Sequence, residues 1–177
     1  MSEKAHGYSI WLMPPEDSYA HRTFLRMIAS VGMVSSSPAF GPHVTLLGGI
    51  NGDEGVVQEK TEILARHIPQ FVSINFVSIE RGNEFFKCLY VKVVSSPALL
   101  SAWKEAVRIF GLNTDRFDPH LSLGYGLTPP ERRSAEEKIE TLNFRIESLS
   151  FRASSLHLYH TEGEVSEWYQ VDEYRCS

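Results

Sequence analysis

Two short stretches of the chain share one pattern: Pro42-His43-Val44-Thr45-Leu46-Leu47-Gly48 and Pro119-His120-Leu121-Ser122-Leu123-Gly124. Each has the order proline, histidine, aliphatic, hydroxyl, aliphatic and closes on glycine. The proline opens each predicted strand, which runs from His43 to Gly48 in the first stretch and from His120 to Gly126 in the second, and a helix is predicted to follow each strand. The repetition favours two strand–helix halves related by duplication.

The alternation of side chains along a strand gives each stretch a polar face and an apolar face. His43 and Thr45 share one face, and His120 and Ser122 share one face of the second strand, while the aliphatic residues turn to the core. If the strands lie side by side or face each other across a cleft, two imidazoles and two hydroxyls converge on a space the size of one phosphate.

Helices are indicated between and around these strands. Apolar residues at helical spacing predict helices that end at Gly32, before Pro69 and at Gly111. The last of these begins at Ser96-Pro97, an N-cap followed by proline at the first helical position. Thr128-Pro129-Pro130-Glu131 has the form of a capping box that opens a further helix.

The β-rich runs indicate antiparallel pairing rather than a parallel sheet. Residues 71–80 and 85–94 predict a hairpin across the loop 81–84. Three short β runs are predicted near the C-terminus: 146–151, 155–159 and 167–171. Because hairpins and helices mix without a strict βαβ rhythm, the expected fold class is α+β with largely antiparallel sheets, in a single domain over 1–177.

The composition is that of a soluble globular protein: 177 residues, 42% hydrophobic, with a net charge of −5. No segment approaches the roughly 18 apolar residues of a membrane span, and the N-terminus lacks the features of a secretory signal or transit peptide, so a cytoplasmic or nuclear location is expected. The acidic balance disfavours binding to long nucleic acid, which requires clustered Lys and Arg. Cys88 and Cys176 form no CxxC pair and are expected to be free thiols.

The paired histidines and hydroxyls suit acid–base chemistry at phosphorus. Imidazole titrates near neutrality, so one histidine can take a proton from water while the other gives a proton to a departing ribose oxygen. The hydroxyls of Thr45 and Ser122 can donate hydrogen bonds to the non-bridging oxygens, a role that does not require a metal. The sequence also lacks the closely spaced Asp and His ligands of a metal phosphoesterase, so no metal and no cofactor are expected.

These motifs resemble the paired His-x-Thr/Ser motifs of the two-histidine (2H) phosphoesterase superfamily. Three further segments are similar to its eukaryotic cyclic phosphodiesterase branch, which is associated with tRNA-splicing by-products: Tyr8-Ser9-Ile10-Trp11-Leu12-Met13-Pro14, Phe85-Phe86-Lys87-Cys88 and Leu149-Ser150-Phe151-Arg152. Together the similar segments span most of the chain.

The resemblance implies a bilobal fold, with two pseudo-symmetric lobes and the site in a central cleft. It also implies opening of ADP-ribose 1″,2″-cyclic phosphate to the 1″-phosphate, and of nucleoside 2′,3′-cyclic phosphates to 2′-phosphates. By the same resemblance His120 would activate the water, His43 would protonate the leaving oxygen, and Thr45 and Ser122 would hold the phosphate. The expected partner is this small substrate alone, bound by a monomer.

Aromatic side chains could hold the base by stacking, which contributes about 1–3 kcal/mol per base. The candidates are Trp11, Phe85 and Tyr125. Strand alternation makes a cleft-facing Trp11 as plausible as a core tryptophan, and it places Tyr125 away from Ser122 unless a glycine bends the strand. Phe85 is preferred to Phe86 by position only.

Two other functions remain open at this point. One is an RNA-end processing or 2′–5′ RNA ligase-like enzyme of the same superfamily, which the lack of basic clusters disfavours. The other is a catalytically silent nucleotide-binding module, which the two intact His-x-hydroxyl motifs disfavour. The number of Lys and Arg side chains around the cleft would separate the first alternative from a small-substrate enzyme.

Overall fold

A computed structural model describes residues 4–177. Within this range the chain forms four helices and nine strands, joined by loops and two short 3₁₀ turns. In chain order these are β1 (Tyr8–Leu12), α1 (Tyr19–Gly32), β2 (Val44–Ile50), α2 (Glu54–His67), β3 (Val72–Ile74), β4 (Phe76–Glu84), β5 (Lys87–Val93), α3 (Pro97–Phe110), β6 (His120–Gly124), α4 (Pro129–Glu140), β7 (Phe151–Ala153), β8 (Ser155–His160) and β9 (Tyr169–Arg175). No helix in residues 4–177 is both long enough and apolar enough to cross a membrane.

Local signals set the helix ends where the sequence predicts them. The Ser96 hydroxyl accepts the N–H of Leu99 at the start of α3, and Gly111 closes that helix in the left-handed conformation. At α4 the Thr128 side chain and the Glu131 side chain bond each other's backbone N–H, which completes the predicted capping box. These caps satisfy N–H and C=O groups that would otherwise have no partner at a helix end.

One antiparallel sheet brings the two repeated motifs together. Of the nine strands in residues 4–177, seven form a sheet in the order β4-β5-β6-β2-β1-β8-β9, and β3 pairs with β7 in a separate ladder. The two halves of the large sheet meet where β2 lies beside β6, joined by the pair Val44–Leu121. The structure is therefore α+β and largely antiparallel, as predicted, with one half-sheet from each repeated motif.

Three of the helices pack on the apolar face of this sheet, and α4 packs against α1. Helix α1 contacts β6, α3 contacts β2, and α2 contacts β8 and β9. Val44 and Leu121 lie fully buried in the resulting core. The opposite, polar side of β2 and β6 is left for the residues discussed below.

The predicted hairpin differs from the observed one. Strand β4 runs through the expected loop 81–84, and the turn instead consists of Phe85 and Phe86. The register of β4 against β5 shifts between Arg81 and Glu84, and a Cβ on Gly82 would lie 2.1 Å from the carbonyl oxygen of Lys87. Gly82 therefore permits a bulge within the strand rather than ending it, because close backbone approach requires glycine.

Two other sequence-based assignments were wrong in detail. Residues 146–149 form a 3₁₀ turn rather than the start of a strand, and only Phe151–Ala153 pairs, with β3. In α2 the apolar residues Val56, Val57, Ile63 and Leu64 were all expected on the inner face, but Val56 and Ile63 are exposed. The buried stripe is Val57, Thr61 and Leu64, which lies one residue further along the helix, or about 100° around it.

Gly7 and Gly111 form a matched pair for testing how β1 is held. Both adopt positive φ, 64° and 67°, but a Cβ on Gly7 would lie 2.1 Å from the carbonyl oxygen of Ile50, whereas Gly111 has open space around it. We expect Gly111→Ala to lower the free energy of unfolding by about 1–2 kcal/mol through backbone strain alone. Gly7→Ala should cost about 1–3 kcal/mol more, because the backbone must move. Urea denaturation of both variants measures the difference, and equal losses would contradict the close approach.

Candidate active site

The repeated motifs line one cavity of about 220 Å³. Its lining residues come from both half-sheets and from the turns beside them: Ala5, Ser9, Trp11, His43, Thr45, Phe86, His120, Ser122, Tyr125, Thr161 and Trp168. Six of the seven residues predicted for the site are in this set. The exception is Phe85.

Both imidazoles are oriented by the same kind of hydrogen bond. His43 Nδ1 lies 2.7 Å from the carbonyl oxygen of Gly41, and His120 Nδ1 lies 2.8 Å from that of Asp118. Because a carbonyl can only accept, each Nδ1 carries the proton, and each Nε2 is left for a ligand. In both motifs the anchoring carbonyl stands two residues before the histidine, so the duplication extends to the orientation of the rings.

Burial lowers the pKa of both histidines, because desolvation disfavours the charged imidazolium. His43 is almost fully buried, and its pKa falls to about 4; the bond to the Gly41 carbonyl opposes this fall, and the charge of His120 adds to it. Burial also lowers the pKa of His120, which is less enclosed. In the free protein at neutral pH, His43 is therefore a neutral base, and an anionic ligand would be needed to raise its pKa.

The two hydroxyls of the motifs differ in their bonding. Ser122 Oγ donates to the carbonyl oxygen of Phe86 at 2.6 Å. The Thr45 hydroxyl has no hydrogen-bond partner among residues 4–177. A bound phosphate could accept from Thr45 directly, whereas it would have to compete with the Phe86 carbonyl for the proton of Ser122.

Trp11 lies in the cleft but is sandwiched. Its ring stacks on His43 with 3.6 Å between centroids and on Tyr159 with 3.9 Å, and only 3% of the residue is exposed. Two rings at such short distances must cover opposite faces of the indole. The predicted stacking of a base on Trp11 is therefore wrong for this conformation, and the tryptophan instead holds the imidazole of His43 in place.

Phe86 takes the position that the sequence assigned to Phe85. In the turn between β4 and β5, Phe86 lines the cavity, whereas the ring of Phe85 lies over Gly126, whose N–H donates to the Phe85 carbonyl at 2.9 Å. A Cβ at residue 126 would lie 2.4 Å from the Phe85 ring, so the glycine makes room for it. Phe85 was a wrong assignment because the turn is two residues long and its neighbour points into the cleft.

Tyr125 reaches the cavity although strand alternation places it on the other face. Strand β6 ends at Gly124, and Gly126 has a φ of 63°, so the chain turns and re-aims the tyrosine. One face of its ring stacks on Phe40, with 4.0 Å between centroids. Burial raises the pKa of its phenol far above the ordinary value, so the ring stays neutral.

Trp168 is a cavity residue that the sequence analysis missed. It follows the 3₁₀ turn Val165–Glu167 and approaches the rings of Phe86, Trp11 and Tyr125 at centroid distances of 5.8 to 6.1 Å. Its indole N–H is buried without a hydrogen-bond partner in the described chain. A tryptophan within the polar run 161–168 was the one signal that could have indicated it.

Two polar residues of the cavity wall, Ser9 and Thr161, were missed as well. Ser9 Oγ and Thr161 Oγ1 lie 3.0 Å apart at the cavity wall. Lys87 pairs with the carboxylate of Asp118 and lowers the pKa of that carboxyl. Asp118 therefore orients His120 through its backbone carbonyl, while its side chain neutralises a lysine. Among residues 4–177, no group of three or more His, Cys, Asp or Glu side chains could hold a metal ion.

Comparison with known proteins identifies similar chains over almost the whole length. A family model described as "Cyclic phosphodiesterase-like protein" matches residues 6–175. A protein of Arabidopsis thaliana named cyclic phosphodiesterase is 28% identical over 163 residues, which cover 91% of this chain and 88% of that protein. A protein of Yarrowia lipolytica named 2′,3′-cyclic-nucleotide 3′-phosphodiesterase is 27% identical over 207 residues, covering 92% and 96%.

The fold is also similar to that of solved structures. The crystal structure of E. coli LigT in apo form superposes with a TM-score of 0.67 over 99% of both chains, at 11% sequence identity. At this identity the likeness is one of fold alone, and it covers both half-sheets.

The buried state of His43 predicts a pH dependence of stability. Its folded pKa of about 4 lies below the ordinary value of 6.5 for a histidine, so the unfolded chain takes up a proton first as the pH falls. The free energy of unfolding should lose on the order of 2–3 kcal/mol from this group between about pH 7 and about pH 4.5. No such contribution is expected above about pH 7, where both states are neutral.

The variant His43→Gln isolates this contribution from that of the carboxylates, which also titrate in acid. We expect its unfolding free energy, measured by urea denaturation, to fall less steeply than that of the wild type over the same pH range. Nuclear magnetic resonance titration of the ring gives the pKa directly. Parallel pH profiles for the two proteins would contradict a depressed pKa at His43.

Proposed function

Because this chain belongs to the family of cyclic phosphodiesterase-like proteins, we propose that it hydrolyses small cyclic phosphates by two-histidine acid–base catalysis. The proposed reactions are opening of ADP-ribose 1″,2″-cyclic phosphate to ADP-ribose 1″-phosphate and of nucleoside 2′,3′-cyclic phosphates to 2′-phosphates. The observation that supports this proposal most directly is that two imidazoles line one cavity, each anchored through Nδ1 and each with Nε2 available. The Yarrowia relative is named as a 3′-phosphodiesterase of 2′,3′-cyclic nucleotides, which agrees with the proposed 2′-phosphate products.

The reaction needs one proton removed and one supplied. His120 Nε2 takes a proton from water as the water oxygen attacks phosphorus, and His43 Nε2 gives its proton to the ribose oxygen as its bond to phosphorus breaks. For nucleoside substrates that oxygen is O3′, and for the ADP-ribose substrate it is O2″. The hydroxyls of Thr45 and Ser122 donate to the non-bridging oxygens, where negative charge builds in the transition state.

This division of roles depends on the charge of the substrate. Burial holds the pKa of His43 at about 4 in the free protein, so its acid form is scarce at neutral pH. A cyclic phosphate carries a negative charge, and that charge beside Nε2 favours the imidazolium. The stack of His43 on Trp11 favours the imidazolium in addition, since a cation gains from the face of an indole ring.

A small substrate agrees with the charges of the site. No Lys or Arg side chain in residues 4–177 lines the catalytic cavity, and Lys87 beside it is paired with Asp118. Binding a long phosphate backbone relies on several unpaired cations that displace counterions. The charges of the site therefore disfavour an RNA-end enzyme, whereas the silent nucleotide-binding module is distinguished by whether the protein turns its substrate over.

The direct test is hydrolysis of ADP-ribose 1″,2″-cyclic phosphate, of 2′,3′-cyclic AMP and of an RNA oligonucleotide ending in a 2′,3′-cyclic phosphate by the purified protein in excess EDTA, with phosphorus NMR identifying which oxygen keeps the phosphate. We expect chelator-resistant formation of ADP-ribose 1″-phosphate and adenosine 2′-phosphate. Binding without turnover would indicate the silent module. Turnover only of cyclic phosphates at RNA ends would indicate the RNA-end enzyme.

Substitution of the histidines tests their roles. His43→Ala and His120→Ala should each lower kcat by a factor of about 10² to 10⁴ while leaving substrate affinity within a few-fold, as expected for acid–base groups. His67→Ala, at an exposed residue of α2, is the matched control and should keep wild-type kcat. Stopped-flow or coupled assays give kcat and KM, and a loss confined to affinity would assign the histidines to binding only.

The position of Phe86 in the cavity, where Phe85 was predicted, can be tested by substitution. If Phe86 contacts the base, Phe86→Leu should raise KM for 2′,3′-cyclic AMP about fivefold to tenfold, since base stacking contributes about 1–3 kcal/mol and leucine replaces part of the contact. The neighbouring Phe85→Leu should leave KM nearly unchanged and lower the melting temperature, because its ring packs on Gly126. The opposite pattern would return the base contact to Phe85.

A further inference from the structure

A second cavity opens directly beside the catalytic one. Its volume is about 400 Å³, and it lies between β2 and the loop that precedes β6. Thr45 and His120 line both cavities, so the two spaces adjoin at the catalytic residues themselves. A ligand held between the histidines would therefore lie next to the second space.

The size of the catalytic cavity suggests that the ligand also uses the second space. Sites for small ligands typically have volumes of about 300 to 1,000 Å³. The catalytic cavity, at about 220 Å³, lies below that range, and the second cavity lies within it. The first space suits a ribose with its cyclic phosphate, and the second can take a larger group attached to it.

Arg116 provides a cation in the second cavity. It is exposed, and it has neither a salt bridge nor a hydrogen-bond partner among the described residues. Asn113 and Thr114, also in the lining, add uncharged donors near it. A free guanidinium presents several N–H donors in one plane, a geometry that matches phosphate oxygens.

The remaining charges of this cavity do not oppose an anion. Asp118 is the acidic residue of the lining, and its carboxylate is neutralised by Lys87. The other wall is apolar, where Trp103 stacks on Phe117 with 5.1 Å between centroids. The second cavity thus combines one unpaired cation with polar donors and an aromatic wall.

We propose that the second cavity is a subsite for a further phosphate group of the substrate, with Arg116 as its specificity-determining residue. The inference rests on the proposed function, because it places the cyclic phosphate between His43 and His120. The pyrophosphate of ADP-ribose 1″,2″-cyclic phosphate has the required charge and is joined to the reacting ribose. A nucleoside 2′,3′-cyclic phosphate has no such group and does not use Arg116.

The experiment compares Arg116→Gln with the wild type on both substrates. KM for ADP-ribose 1″,2″-cyclic phosphate should rise about fivefold to twentyfold, because the variant loses a charge-assisted hydrogen bond at an exposed site. KM for 2′,3′-cyclic AMP, and kcat for both substrates, should stay within about twofold, since the interaction is one of binding alone. Arg116→Lys keeps the charge and should restore part of the affinity.

Arg66→Gln is the matched control. Arg66 is an exposed arginine of α2 that pairs with Glu62 and lines neither cavity. Its replacement by glutamine changes the net charge of the protein by the same amount as Arg116→Gln. It should leave both KM values unchanged. Thermal melting of all three variants shows whether each is folded. If Arg116→Gln is unfolded, the KM values of Arg116→Lys are compared with those of the wild type instead.

Product binding keeps this test separate from that of the catalytic proposal. Calorimetry of ADP-ribose 1″-phosphate and adenosine 2′-phosphate measures the subsite without turnover. If Arg116→Gln weakens the binding of ADP-ribose 1″-phosphate but not that of adenosine 2′-phosphate, the subsite is supported even if neither cyclic substrate is hydrolysed. If the variant weakens the binding of both products equally, or of neither, the subsite proposal is overturned, whatever the activity of the protein.

Discussion

The pairing of Val44 with Leu121 is the contact on which the arrangement of the site depends. It joins two half-sheets at the one place where β2 lies beside β6. Each histidine stands at or just before the start of one of these strands, so joining the strands brings the imidazoles to one cavity. Strand alternation then sends the aliphatic partners to the core, and the same residues that hold the sheet together also direct the polar groups outward.

Burial gives the site its chemistry and also limits it. Enclosing His43 against Trp11 removes water and lowers the pKa, so the free protein holds a neutral imidazole there. The carbonyls of Gly41 and Asp118 fix which nitrogen carries the proton in each ring. A negatively charged ligand would raise the pKa of His43 and favour its imidazolium form, so protonation of His43 is coupled to ligand binding.

The parts that the sequence predicted are those that depend on local chemistry. The caps of α3 and α4 follow from residues within one helical turn, and the convergence of His43 and His120 follows from a repeated motif read with strand alternation. The failures have non-local causes. A bulge at Gly82 extended β4 and moved the turn to Phe85 and Phe86, and Trp168 reaches the cavity only through tertiary packing. No spacing rule could show that Tyr159 covers the second face of Trp11.

The position of β1 in the sheet has a consequence for how the protein is made. Trp11 pairs with Thr45 on one side and with His157, near the opposite end of the chain, on the other. Contacts between residues so distant in sequence form late, because the loop between them must close first. During synthesis on the ribosome β1 can pair with β2 early, but its pairing with β8 must wait for the C-terminal strands, so a nascent chain that carries both histidines still lacks Tyr159 on the second face of Trp11.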